Sequence, residues 1–431
     1  MQYFSLNQKA PIVSFQEAVI QGIAPDKGLY FPVEIPKLEA SFWQSLNDLS
    51  VTELAVALMA PFVGDSIPKS ELEIILAETL DFDFPLVQLT PAVHVLELFH
   101  GPTMAFKDVG ARFMARSLGY LMRNANEPVT VLVATSGDTG GAVANGFYNV
   151  PGVQVVILYP EGKVSDIQER QLTTLGQNIT ALKVKGSFDD CQHMVKQAFL
   201  DSTLNQKLKL TSANSINVAR WIPQMLYYVL AYRQLNTKVQ APVFSVPSGN
   251  FGNICAGMLA HKMGMPCKKF IAATNNNDTI PRFMLEKLYR PNPTQATLSN
   301  AMDVSDPSNF VRVLELFNTS HAELSREFIS SSYSDEQTLE AMKFLFREYG
   351  YVSDPHGAIG YLGLRDYLLE NPNETGIFLE TAHPIKFKST VSDCLNINLD
   401  IPEQIQKVLH TQGKAISINN YEEVKSFLLS N

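Results

Sequence analysis

Cysteine is scarce: four in 431 residues, Cys191, Cys255, Cys267 and Cys394, spread out and with no CxxC pair. That excludes a disulfide-framed scaffold and reads as reduced thiols in a cytoplasmic protein. Cys191 and His193 are the one close Cys/His pair, too few ligands for zinc, and no metal is expected. Positive charge is also short, with 34 Lys and Arg against 43 Asp and Glu and a net charge of -9. A chain of that sign is poorly suited to a phosphate backbone, so nucleic acid is not an expected partner. No run of about 18 apolar residues offers a membrane span. The opening MQYFSLNQKAPIV lacks the basic-then-apolar order of a secretory signal. The apolar stretch Met225 to Tyr232 is too short to span a bilayer and reads as a buried helix. Fixed-period repeats, low-complexity tracts, a GxxxxGK[ST] loop and a GxGxxG turn after a strand are all missing, which leaves no support for a nucleoside-triphosphate or dinucleotide site.

What is present is ample apolar material, 45% hydrophobic against 18% charged, enough for one large core or two to three domains. From about residue 92 a β-branched run, a Gly/Ser/Asn loop and a helix-period stretch recur in that order. The alternation predicts an α/β fold of mostly parallel open sheets wrapped by helices. Val129–Ser136, Val153–Pro160, Pro242–Ser248, Lys268–Asn275 and Thr375–Ala382 read as strands buried on both faces. Residues 1–90 carry helical stretches and several prolines without strand alternation and are expected to form a separate α-rich N-terminal unit. Residues 91–390 are the expected catalytic core, with a helical insertion or lid at about 300–350, and 391–431 a C-terminal helical tail.

Ligands of open α/β sheets bind where strands end and loops begin, and three loops stand out. PSGNFGN, Pro247 to Asn253, places Gly249 and Gly252 between a strand and a helix, so that several N–H groups can face one anion, a phosphate cradle. TSGDTGGAVANG, Thr135 to Gly146, offers the hydroxyls of Ser136 and Thr139 and first-turn amides to a carboxylate, with Asp138 in the same turn. TSANSINVAR, Thr211 to Arg220, carries Asn214, Ser215 and Arg220, the last a fork for a second anion. Taken singly, each also reads as an ordinary strand-to-helix connection. Together with Lys107, in HGPTMAFKDVGARF, they describe a site for a phosphate-bearing cofactor and a second anionic ligand. A lysine can condense with an aldehyde to an imine when its surroundings lower its pKa. His100, His356 and His383 sit beside Gly or Pro, where capping or structural roles are expected of them.

HGPTMAFKDVGARF, ATSGDTGGAVANGFY, PSGNFGN and ETAHPIKF, with SFQEAVIQGIAPDKGLYFP near the start, together resemble the threonine synthases with a long N-terminal region, over essentially the whole chain. The resemblance implies the two-lobed fold type II core of pyridoxal-phosphate enzymes and a monomer or homodimer. It implies Lys107 as the internal imine with pyridoxal phosphate, Gly249, Asn250, Phe251, Gly252 and Asn253 around the cofactor phosphate, and the Thr381 hydroxyl at the pyridine nitrogen. By the same resemblance Ser136, Asp138 and Thr139 lie along the substrate carboxylate and cofactor ring, and Asn214, Ser215 and Arg220 hold the phosphate of O-phospho-L-homoserine. A hydroxyl at the ring nitrogen makes a weaker electron sink than a carboxylate would, which favours elimination over transamination. Many members of the wider fold family carry asparagine where this chain has Asp138, donating to the ring O3′. An ionised aspartate there repels that oxygen, so Asp138 must be turned away, protonated or balanced by a cation. The rival readings are another pyridoxal-phosphate elimination, such as a serine or threonine dehydratase, and a silent binding protein, against which the presence of Lys107 counts.

Overall fold

A computed structural model describes residues 1–235 and 241–430. Three sheets organise it. The five strands anticipated from sequence occur at Val129–Ala134, Val153–Pro160, Val243–Pro247, Lys269–Thr274 and Gly376–Glu380. All five are built of residues buried on both faces, apart from Gln154 and Lys269. They divide between two sheets. A five-stranded, wholly parallel sheet runs in the order Ile416–Ile418, Ile179–Val184, Val153–Pro160, Val129–Ala134, Lys209–Thr211. A six-stranded sheet runs Phe328–Ser332, Lys269–Thr274, Val243–Pro247, Gly376–Glu380, Val93–Glu97, Leu86–Gln88, with only the last pair antiparallel. Met225–Gln234 is the buried helix expected there.

Three stretches read from sequence as helical also carry strands. The first ninety residues, expected to be α-rich, also hold an antiparallel sheet of Gln2–Ser5, Val13–Ser14 and Tyr30–Pro32 beside the helices Val51–Val63 and Lys69–Thr79. These strands have four residues or fewer, too short for an alternation to register. The stretch 300–350 carries the helices Phe310–Leu316, His321–Glu327 and Asp335–Tyr349 but also Phe328–Ser332, which is hydrogen-bonded into the six-stranded sheet as its edge. The strand ties this stretch, expected as a helical insertion or lid, to the body of that sheet. Likewise the tail contributes the edge strand Ile416–Ile418 as well as the helices Glu403–Leu409 and Tyr421–Ser430. Among the described residues no helix is long and apolar enough to cross a membrane.

Several helices start where a serine meets a glutamate, glutamine or aspartate three residues on: Ser14/Glu17, Ser50/Glu53, Ser165/Gln168, Ser187/Asp190 and Ser334/Gln337 each close a reciprocal cap. Each such cap contributes about 1 kcal/mol. One of them, at Ser165, also orients a side chain of the site.

Candidate active site

Parallel strands send their carboxyl ends to one edge, and that edge gathers the loops. Val243–Pro247, Gly376–Glu380 and Val93–Glu97 are neighbours in the six-stranded sheet. They are followed by the loop around Gly249, by Thr381 and by the loop that ends at Lys107. In the other sheet Val129–Ala134 and Lys209–Thr211 are neighbours, followed by Ser136 to Thr139 and by Asn214 to Arg220. Side-chain bonds tie the loops together: Asn214 donates to the Ala134 carbonyl (3.1 Å) and Asn250 to the Ser215 hydroxyl (2.8 Å).

Lys107 is the first residue of the helix Lys107–Met122. The loop before it is pinned to the strand end opposite: Phe106 N donates to Thr381 O (2.9 Å), His383 N to Met104 O (3.1 Å), and Ala105 bridges Ala382. The lysine is therefore held beside Thr381 by main-chain bonds. The residue is half-buried, and its surroundings desolvate the amine and lower its pKa to about 8. Asp138 opposes that shift, while Lys386 and Arg220 add to it. Asp108, adjacent in sequence, is not its partner: that carboxylate is buried and accepts from the Thr103 amide (2.9 Å) and hydroxyl.

Asp138 is balanced by a cation. Its Oδ1 lies 2.7 Å from Nζ of Lys386 and accepts from Gln168 Nε2 at 2.9 Å. Burial pushes this carboxyl up, but Lys386 and Lys107 outweigh burial and hold it well below the usual carboxylate range. Gln168 is oriented by its own helix cap: its Oε1 accepts from Ser165 N (3.1 Å), which turns Nε2 toward Asp138. The Asp138 side chain is thus committed, as are the amides of Gly137 and Gly140, which donate to Thr135 Oγ1 (2.9 and 2.8 Å), and for a ligand anion this turn has the amides of residues 136, 138 and 139 and the half-exposed Ser136 and Thr139. Gly137, with φ 140°, permits the turn, and any Cβ there would meet Gln168 at 2.4 Å. Lys386, almost fully buried, also donates to the Thr103 carbonyl (2.9 Å). Sequence reasoning passed over it, although it lies inside ETAHPIKF; the unbalanced charge on Asp138 was the signal that a lysine or arginine had to be found.

In the loop after Val243–Pro247 the asparagine side chains serve the protein. Asn250 bonds Ser215 and accepts from Ser308 N (2.7 Å), and Asn253 donates to Pro247 O (2.9 Å). Phe251 holds a left-handed φ of 61° ahead of the helix Gly252–Lys262. What remains for an anion is the set of amides at residues 249 to 253, at and just before a helix start, where no internal acceptor exists for them. Nearby, Ser215 Oγ accepts from both Asn250 and Asn309 (3.0 Å), so its hydrogen is left to donate. Arg220 is 3% exposed and donates through Nη1 to Ala213 O (2.6 Å), but its buried Nε has no partner among the described residues. Burial lowers its pKa to about 10. Gly110, one turn after Lys107, faces that Nε.

These groups fit pyridoxal phosphate: an amine with a lowered pKa, a cradle of helix-start amides, and a buried guanidinium with a donor to spare. The histidines do other work. His356 pairs with Asp354 (2.8 Å) and accepts from Ala301 N (3.2 Å), His383 caps the short helix Pro384–Phe387, and His100 pairs with Glu97 on the surface (2.7 Å). Among the described residues no group of three or more His, Cys, Asp or Glu is placed to hold a metal.

Comparison with known proteins agrees with this chemistry. Residues 84–377 match the family model for pyridoxal-phosphate dependent enzymes, 2–80 that for the threonine synthase N terminus and 357–428 that for the threonine synthase C-terminal region. Threonine synthase from Escherichia coli is 47% identical over 94% of each chain, and that from Saccharomyces cerevisiae 37% identical over 98% of this chain and 96% of its own. A crystal structure of threonine synthase from Brucella melitensis with pyridoxal phosphate bound superposes with a TM-score of 0.92, at 34% identity over 99% of this chain and 98% of its own. Full-length likeness in sequence and in backbone, on a scaffold whose loops converge around Lys107, leaves one assignment: the chain belongs to the threonine synthase family of pyridoxal-phosphate dependent enzymes.

Proposed function

We propose that this chain converts O-phospho-L-homoserine and water to L-threonine and phosphate as a cytoplasmic enzyme, with pyridoxal phosphate carried on Lys107. The observation that carries the reading is a half-buried lysine, its pKa lowered to about 8, at the head of a helix where the strand-end loops of two sheets meet. In this reading the amides of Gly249, Asn250, Phe251, Gly252 and Asn253 hold the cofactor phosphate and the Thr381 hydroxyl faces the ring nitrogen. Ser136 and Thr139 meet the substrate carboxylate with hydroxyls and first-turn amides, while Asp138 acts through Lys386. Asn214, Ser215 and Arg220 hold the substrate phosphate. When bound, pyridoxal phosphate supplies an aldehyde for an amine to condense with and a ring that accepts the electron pair left when a C–H bond breaks.

Released by the incoming substrate amine, the Lys107 nitrogen takes first the Cα proton and then a Cβ proton. Arg220 and the Ser215 hydroxyl stabilise the charge that gathers on phosphate as its bond to Cγ breaks. A proton then goes to Cγ, water gives its hydroxide to Cβ and a proton returns to Cα, so the hydroxyl of threonine sits one carbon inward from the lost phosphate.

The test is Lys107→Ala, assayed for threonine and phosphate together. The variant folds as the parent does and releases neither product, and borohydride fixes the cofactor to Lys107 in the parent only. Phosphate release by the variant at the parent's rate contradicts the role. A 2-oxo acid and ammonia in place of threonine would identify a dehydratase.

A further inference from the structure

We propose that Lys386 is a positioning residue of this reaction: a fixed cation that opposes protonation of the Lys107 nitrogen, with Asp138 serving to hold and balance it. The inference rests on the reading of Lys107 given above. Lys386 is 1% exposed, and a buried ammonium needs both charge balance and acceptors for three N–H groups. Two acceptors are in place, Asp138 Oδ1 at 2.7 Å and Thr103 O at 2.9 Å. Gln171 Nε2 reaches the same Thr103 carbonyl at 3.2 Å and Gln168 the same Asp138 oxygen at 2.9 Å, so both anchors of the lysine are themselves held. No rotation of this side chain keeps both bonds and moves the charge away.

The neighbouring charged groups set the sign of the effect. Asp138, Lys386 and Arg220 act on Lys107, Lys386 also acts on Asp108 and His383, and Arg112 and Thr103 act on Asp108. Asp138 and Lys386 stand on opposite sides of the balance at Lys107: the carboxylate favours its protonated form and the ammonium opposes it. Both are within 5% of complete burial, where a unit charge is weakly screened. Removing either therefore moves the proton equilibrium of the Lys107 nitrogen by about one to two pH units, in opposite directions. A purely structural pair has no reason to do this, since disruption of the site would push both variants the same way.

The experiment follows the visible absorbance of the lysine-bound cofactor against pH in the holoenzyme, with borohydride trapping and the pyridoxal phosphate dissociation constant read in parallel. Lys386→Met raises the pH midpoint, Asp138→Asn lowers it, and the double variant lies between them. Lys386→Arg, which keeps the charge, stays nearer the parent than Lys386→Met. Midpoints that do not move, or that move together, overturn the proposal while leaving Lys107 as the attachment point. If Lys386→Met does not fold, the downward shift in Asp138→Asn decides alone, an unmoved or raised midpoint being the contrary result. A parent protein with no such band and nothing fixed at Lys107 defeats the reading of Lys107 itself.

Discussion

Alanine at Gly249 tests the phosphate cradle most directly. A Cβ there lies 2.7 Å from Met302 Cα and 2.9 Å from Ala301 O, both main-chain atoms, whereas ordinary contact begins at 3.4 Å. The loop must withdraw by roughly 0.7 Å (3.4 minus 2.7) from the segment behind it. Overpacking of this kind costs about 1–3 kcal/mol, and much of it is relieved by displacing the loop's amides, which in the proposed cradle hold the phosphate. A hydrogen bond to a charged group contributes about 1.5–3 kcal/mol. Weakening two of them by half loses about 2 kcal/mol, or about 30-fold in cofactor affinity. The assay is a fluorescence titration of cofactor-free protein with pyridoxal phosphate, with Tm measured alongside. Gly252→Ala is the comparison: its Cβ meets Ser215 Cβ and Asn309 Nδ2, each at 3.2 Å and each on a side chain, which can yield, so the loss is a few-fold. Unchanged affinity in Gly249→Ala, or a larger loss in Gly252→Ala, refutes the placement of the cradle.

Two further outcomes involve pH. Condensation with an aldehyde needs the neutral amine, so the rate at which cofactor-free protein captures pyridoxal phosphate rises with pH and levels off above about 8, the value to which Lys107 is lowered; a stopped-flow rate still climbing well beyond that pH contradicts it. Glu380 is fully buried and accepts from Ser353 Oγ and Asp354 N, both at 2.7 Å, and burial with the Asp354 charge raises its pKa well above the usual 4.5. The native state then keeps a proton that the unfolded chain has lost, so stability falls as pH rises from 4.5 toward the raised value, by up to about 1.4 kcal/mol per pH unit. Glu380→Gln removes that slope, and denaturant midpoints of variant and parent drawn between pH 5 and 7 should diverge in the variant's favour.

The strands that could be read from sequence were those with buried residues on both faces, such as Val153–Pro160, because a continuous apolar run bounded by turn residues has few other readings. Those that escaped carry polar residues that interrupt the apolar run. Ile179–Val184 interleaves Thr180 and Lys183, and Phe328–Ser332 ends in three serines at a sheet edge. The loops around Gly249, Ser136 and Asn214 were legible because parallel strands bring their following loops to one edge whatever the sheet order. Lys386 was not, since a lysine after Pro-Ile carries no local sign of burial; only its pairing with Asp138, distant in sequence, distinguishes it. The charge problem at Asp138 could be posed from sequence, and its solution required coordinates.

The N-terminal residues are tied to the loop Thr211 to Arg220. Val19 O, at the end of the helix Phe15–Gln21, accepts from Thr211 Oγ1 (3.0 Å) and Asn217 Nδ2 (2.9 Å). Arg312, 0% exposed, completes the attachment: it donates to Tyr30 O (2.9 and 3.2 Å), Ser215 O (3.0 Å), Ile216 O (2.6 Å) and Asn309 Oδ1 (2.7 Å), over the Trp221 ring at 4.4 Å. Five N–H groups thus meet neutral acceptors, and none of these acceptors is a carboxylate. A carboxylate partner would have cancelled the guanidinium charge; carbonyls satisfy the donors and leave the charge in place. That charge lies directly behind Ser215, whose hydroxyl hydrogen is free to donate, and within the loop that carries Arg220. An anion bound at this loop therefore feels two buried guanidinium groups, one that can touch it and one that holds its seat, and the second is anchored on Tyr30 of the N-terminal unit.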